Sequence, residues 1–128
     1  GSDGKIMGGS GGHSDAAAGA SVTIVVANLL RGRLPIIVDN VLTITTPGET
    51  VDVLVTERGI AVNPRRPELK EKLVAAGLPV REITELKALA ENMAGVPKAP
   101  PQGEKIVALV EYRDGTVIDV VRQYKACE

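Results

Sequence analysis

The stretch "MGGSGGHSD", Met7 to Asp15, concentrates residues that can do chemistry: four glycines, two serines, an aspartate and the only histidine of the chain. Glycines let the backbone approach a ligand closely and aim N–H groups at an anion. Ser14 or Asp15 can cap a short helix through the alanine run Ala16 to Ala20. That would set a helix start beside the loop, an arrangement suited to an oxyanion or a phosphate. Gly9, Gly11, Gly12, His13, Ser14 and Asp15 are therefore the primary site candidates. The plain alternative is a mobile leader, since glycine-rich ends are commonly disordered. Gly1-Ser2 reads either as native sequence or as the scar of a removed tag.

Three familiar chemistries do not fit the stretch. A dinucleotide fingerprint needs a third glycine, and here Gly9-Ser10-Gly11 runs on into Gly12, His13 and Ser14. A P-loop needs Gly-Lys-Ser/Thr, which is absent. "HSD" names the residue types of a hydrolase triad, but triad members converge in space and sequence neighbours point apart. One histidine and no clustered cysteines supply too few soft ligands for a zinc-type centre, so no metal site is assigned, with a carboxylate-only site as the open alternative. In the plainer reading, His13 is an exposed or hydrogen-bonded loop residue.

Secondary candidates lie downstream. Glu57 in "TERG" falls at an expected strand end, where α/β proteins place functional groups. The simpler role is a salt bridge to Arg58 or to the following helix, and that reading is preferred. Arg65 and Arg66 in "NPRRP" can meet a phosphate or a carboxylate, although most exposed arginine pairs are only solvated. Asp39 and Asn40 shape a turn.

Composition narrows the function classes. The chain has 128 residues, enough for one modest domain. Aromatics make up 2% of it, so the core must be Val, Leu, Ile and Ala, and base-stacking platforms are disfavoured. The net charge of −1 provides no basic field for nucleic acid or an anionic membrane. No apolar run spans a bilayer, and "SVTIVVANLL" is cut by Arg31. No signal peptide is legible at the start, though a scar there would hide one. The lone Cys127 fits a reducing, cytoplasmic compartment.

The elements that must position these residues follow in order. Residues 1–20 read as a glycine loop and short helix, 21–64 as strands, 65–95 as two helices, 96–104 as a proline-rich connector and 105–124 as a hairpin. Val22 to Val26 leave no polar face, which predicts a strand buried on both sides. "IIVDNVLTITT" predicts one or two further strands, "PGE" a turn, and Gly59 the break between two short strands. Pro67 opens one helix and Gly77 closes it. Thr84 caps a second, whose buried face is Leu86, Leu89, Ala90 and Met93. Asp114-Gly115 marks the hairpin turn. The class is α/β with a mixed sheet. Two helices cover roughly six strands poorly, which predicts that other chain covers the open faces.

"GGSGGHSD", "RGRLPIIVDNVLTITTPGE", "VDVLVTERGIAVNPRRPEL" and "EYRDGTVIDVV" occur in order through nearly the whole sequence. Together they resemble the C-terminal part of the citrate lyase alpha chain family of bacteria. "YKACE" carries no family signal. The resemblance implies part of a coenzyme A transferase-like (NagB/RpiA-type) domain, from a subunit several times longer. In more distant transferases a "GGAMD"-like segment lines the acyl-thioester site. By that match Gly11, Gly12 and Asp15 carry over. His13 and Ser14 depart from the transferase pattern and agree with the citrate lyase one.

The implied reaction moves a phosphopantetheine-type thioester from acetyl to citrate: acetyl-acyl-carrier protein plus citrate gives citryl-acyl-carrier protein plus acetate. The implied partners are the beta chain, which cleaves the citryl thioester, the acyl-carrier protein (gamma chain) and citrate, in an oligomeric complex. No cofactor is assigned to this chain itself. Many such transferases use a nucleophilic glutamate in Glu-Asn-Gly. Here Glu91-Asn92 is followed by Met93 inside an expected helix, so the nucleophile lies upstream and the fragment alone is expected to be inactive. The alternatives are another coenzyme A transferase or acyl-coenzyme A hydrolase, and a non-catalytic interaction domain with a disordered glycine leader.

Overall fold

The computed structural model describes residues 8–124, so Gly1-Ser2, Met7 and Cys127 lie outside it. The elements run α1 (His13–Gly19), β1 (Ile24–Val26), β2 (Leu30–Arg31), β3 (Leu34–Pro35), a single 3-10 turn (Gly48–Thr50), β4 (Val53–Thr56) and β5 (Gly59–Val62). They continue with α2 (Pro67–Ala75), α3 (Ile83–Ala94), β6 (Gln102–Glu111) and β7 (Val117–Tyr124). This is an α/β arrangement with a mixed sheet, as the sequence implies.

The central sheet has the order β1-β4-β5. β1 runs parallel to β4, with Ile24 opposite Val53. β4 and β5 are antiparallel, with Thr56 opposite Gly59 across the Glu57-Arg58 turn. Pro79 to Arg81 lines the far edge of β5: Ile60 N–H donates to the Pro79 carbonyl at 3.0 Å, and Arg81 N–H to the Ile60 carbonyl at 2.8 Å. Gly59 permits this close approach. Its φ is +147°, and a Cβ there would sit 2.9 Å from Arg81 Cδ and 3.2 Å from the Pro79 oxygen.

The core is small and aliphatic. Leu29, Ile37, Ala61, Leu86 and Ala90 form it, with Leu30, Ile36, Leu54 and Leu89 packed around them. Leu86 and Ala90 are one turn apart on α3, so both face the sheet. Glu57 holds the chain where it leaves β1: its Oε2 accepts the Leu29 N–H at 2.8 Å. The expected salt bridge to Arg58 is replaced by this backbone contact. The Leu29 N–H is the main reason the Glu57 pKa is lowered; the residue's own N–H adds to it, burial opposes it, and the Arg58 charge assists least.

Several expectations are corrected. β1 is not buried on both sides: it is an edge strand, with Ile24 57% and Val26 76% exposed. Residues 36–46 form no strand, despite their β-branched content. Strand propensity is realised only beside a partner, and this segment is held by side chains instead. Lys87 Nζ lies 3.2 Å from Asp39, and the Ile44 N–H donates to Asp119 at 2.7 Å. Asp39 thus pins the loop to α3 through Lys87, beyond its expected role in a turn. α3 begins at Ile83 with Glu82 as N-cap, so Thr84 lies inside its first turn. Met93 is 47% exposed because the last turn of α3 runs past the core cluster. The hairpin begins at Gln102, inside the expected connector.

The hairpin turn forms at Asp114-Gly115 as expected. Asp114 Oδ1 accepts from Thr116 N–H at 3.0 Å and Thr116 Oγ1 at 2.6 Å.

Gly59→Ala should cost about 1–3 kcal/mol through its positive φ and the crowded Arg81 and Pro79 contacts. Thermal unfolding should register this as a fall in melting temperature of about 5–10 °C. The Glu57 contact makes a second prediction, about acid. Because the folded-state pKa is depressed, this stabilisation is present above the unfolded value and is lost as pH falls through the folded one. The stability gap between the native chain and Glu57→Gln should therefore narrow as pH falls from about 5 towards about 1. Denaturant melts across that range will show it.

Candidate functional site

The glycine stretch folds as an exposed turn leading into α1. Gly11 has φ +57°, in the left-handed region that favours glycine. Gly12 is the N-cap of α1, with no side-chain cap. The expected cap is thus corrected: Ser14 and Asp15 lie within the first turn, and the helix starts earlier than the alanine run. His13 N–H donates to the Ser10 carbonyl at 3.3 Å, and Ala16 N–H to the Gly12 carbonyl at 2.9 Å. Gly9, Gly11 and Gly12 are exposed, and a Cβ on Gly11 or Gly12 would meet nothing within 4 Å. The loop therefore presents open backbone.

Two side chains from distant sequence border this loop. His13 Nδ1 lies 3.0 Å from Thr46 Oγ1. Arg113, next to the hairpin turn, comes within 4.0 Å of Asp15. Ser14 is half-buried beside them along the helix. None of these contacts was legible in the sequence. Thr46 stands 33 positions from His13, and neither its spacing nor its neighbours mark it.

α1 is fastened to the sheet at its other end. Thr23 Oγ1 donates to the Ala17 carbonyl at 3.0 Å, and Thr23 N–H donates to Asp52 Oδ2 at 2.7 Å. Asp52 Oδ1 accepts from Arg66 Nη1, also at 2.7 Å. Arg66 donates further to Glu68 at 2.6 Å and, at 3.4 Å, to the Ser21 carbonyl. Glu68 first and Asp52 second raise the Arg66 pKa. The same guanidinium is the main cause of the lowered Glu68 pKa.

An open groove of about 420 Å³ lies here, lined by Ala18, Ser21, Glu49, Asp52, Arg65 and Arg66 among others. It borders the C-terminal part of α1, and no residue from Gly9 to Asp15 lines it. Both arginines are committed: Arg65 pairs with Glu49 at 2.7 Å, and Arg66 with two carboxylates. The groove therefore offers an anion far less than "NPRRP" suggests. Glu57 stands apart from both places, bound to Leu29. The structure thus gathers Gly9, Gly11, Gly12, His13, Ser14 and Asp15 into one surface, and separates Glu57, Arg65 and Arg66 from it. Among the described residues no three His, Cys, Asp or Glu side chains cluster as metal ligands, and no helix is long and apolar enough to cross a membrane.

Comparison with known proteins agrees with the motif resemblance. The family model "Citrate lyase, alpha subunit (CitF)" matches residues 1–124. The citrate lyase alpha chain of Klebsiella pneumoniae is 54% identical over 98% of this chain and 25% of its own length. That of Escherichia coli K12 is also 54% identical, over 24% of its length. A crystal structure of a citrate lyase alpha subunit from Streptococcus mutans, in complex with citrate, superposes with a TM-score of 0.91. It is 52% identical, and the match covers 98% of this chain and 25% of that one. This chain, spanning about a quarter of its relatives' length, belongs to the citrate lyase alpha subunit family.

Proposed function

We propose that this chain carries the acyl-thioester loop of a citrate lyase alpha subunit, in a coenzyme A transferase-like domain of the NagB/RpiA type. The observation that carries the reading is the exposed turn at Gly11-Gly12, open to a ligand and bordered by His13 and Asp15. It occurs in a chain of the family whose solved relative from Streptococcus mutans was determined with citrate. The complete subunit exchanges acyl groups on a phosphopantetheine-type thioester, with citrate, an acyl-carrier protein and the beta chain as partners in a cytoplasmic complex.

The chemistry consists of two displacements. A citrate carboxylate oxygen bonds to the acetyl carbonyl carbon, the C–S bond breaks, and the carrier leaves as thiolate with an acetyl–citryl mixed anhydride remaining. The thiolate then bonds to the citryl carbonyl carbon, the C–O bond breaks, and acetate leaves. Each step passes through a tetrahedral oxyanion, for which preorganised N–H donors are the main protein contribution. The open glycine backbone is suited to supply them. The one Glu-Asn pair of the sequence, Glu91-Asn92, sits in α3, where Glu91 pairs with Lys87 at 3.1 Å, so we place a Glu-Asn-Gly-type nucleophile in the part of the subunit outside this chain.

A coenzyme A transferase or hydrolase acting on free thioesters is the competing enzyme reading. Assaying the complete subunit with acetyl-carrier protein and with acetyl-coenzyme A separates them: the proposal requires citrate-dependent exchange on the carrier and is overturned by exchange or hydrolysis on coenzyme A alone.

Two variants separate site from scaffold. Gly12→Val has an ordinary φ and free space, so it should cost at most about 1 kcal/mol, as a cap change. The acyl-exchange rate of the complete subunit should nevertheless fall about a hundredfold, because the reacting groups are displaced. Asp52→Ala leaves the Thr23 N–H without its side-chain acceptor and removes one of the two carboxylates that pair with Arg66, and should lower stability by about 1–3 kcal/mol. Melting curves and initial rates measured on the same preparations check both.

A further inference from the structure

The loop at residues 36–46 has no regular structure, yet it is fixed on both sides of Thr46. Upstream, the Ile44 N–H donates to Asp119 Oδ2 at 2.7 Å, and the other oxygen of that carboxylate accepts the Val120 N–H at 2.7 Å. Downstream, the Pro47 carbonyl accepts from Thr50 N–H at 3.0 Å and Thr50 Oγ1 at 2.7 Å. Thr46 is thus suspended between the β6–β7 hairpin and the 3-10 turn. From there its hydroxyl reaches His13 Nδ1 at 3.0 Å.

That contact decides which imidazole nitrogen remains free. With Nδ1 facing the hydroxyl, Nε2 has no hydrogen-bond partner among the described residues and can meet a ligand. A ligand carboxylate only accepts hydrogen bonds, so Nε2 must carry the proton. With the proton on Nε2, an Nδ1 lone pair can accept from the Thr46 hydroxyl. The threonine therefore fixes the ring orientation, and its hydroxyl, which can donate or accept, is compatible with a proton on Nε2. His13 is exposed and follows the open Gly11-Gly12 turn directly, so the donor stands at the edge of the bare backbone.

We propose that Thr46 is a positioning residue for acceptor-acid specificity: it holds His13 with Nε2–H directed at a carboxylate of the incoming polycarboxylic acid, while the glycine backbone takes the thioester carbonyl. The proposal rests on the acyl-transfer reading above. It divides the surface into two subsites, so the two substrates should respond differently to one variant.

The test uses the complete alpha subunit with Thr46→Val, Thr46→Ser, His13→Ala and the double variant His13→Ala/Thr46→Val. Thr46→Val should raise the KM for citrate about three- to tenfold, the range expected for one hydrogen bond. It should leave kcat within about twofold and the KM for acetyl-carrier protein unchanged. Thr46→Ser restores the hydroxyl and should restore the citrate KM. The double variant should be no worse than His13→Ala, because the threonine acts only through the histidine. An unchanged citrate KM in Thr46→Val, equal rises in both KM values, failure of serine to rescue, or additive losses in the double variant would each overturn the proposal. Calorimetric titration with citrate separates this from failure of the parent reading. If the native subunit shows no acyl exchange, the function reading falls. Weaker citrate binding by Thr46→Val then still supports the threonine's role, and unchanged or absent citrate binding rejects it.

Discussion

The arrangement around the glycine loop depends on one carboxylate. Asp52 is 8% exposed, the charged residue found buried among those described. A buried charge is tolerated only when it is paired and hydrogen-bonded. Asp52 meets that condition with the Thr23 N–H and Arg66, each at 2.7 Å. Its main-chain carbonyl also accepts the Asn63 N–H at 2.8 Å. The start of β1, the start of β4 and the chain leaving β5 are thereby joined at one point. Thr23 passes the constraint on to α1 by bonding the Ala17 carbonyl, and α1 carries the glycine turn at its other end. The arginine that looked like an anion ligand is therefore part of the frame that holds the loop.

Local patterns were legible wherever the local signal and the tertiary contacts agree. Gly59 between two β-branched runs, Pro67 at a helix start and Asp114-Gly115 at a hairpin turn all do in the fold what their chemistry dictates. The β-branched content of 36–46 points to strands, but these residues have no neighbouring strand, and their order comes from Lys87 and Asp119 far along the chain. β1 differs for a related reason. An unbroken apolar run signals cover on both faces, yet Ile24 and Val26 are exposed in this chain.

The candidate site was legible in residue type and not in geometry. Composition and motif order point to Gly9 to Asp15; in the structure Gly9, Gly11, Gly12, His13 and Asp15 are exposed and Ser14 is half-buried. Arg65 and Arg66 are salt-bridged, and a charge pattern does not disclose such partners. Here they are Glu49, Asp52 and Glu68. Thr46 was invisible for the opposite reason: nothing in "TITTPGE" announces a contact with His13. Side chains that act through one long-range hydrogen bond leave no periodic trace.

In the function proposed above, the glycine turn meets the acyl thioester. Amide hydrogen exchange of the complete subunit, followed at Ser10 to Asp15 with and without acetyl-carrier protein and citrate, tests it most directly. The account predicts that these amides exchange quickly in the free subunit and slow when the substrates bind, because open backbone donors become engaged. Exchange that stays fast and unchanged with both substrates present, in a subunit shown to be turning over, would contradict it.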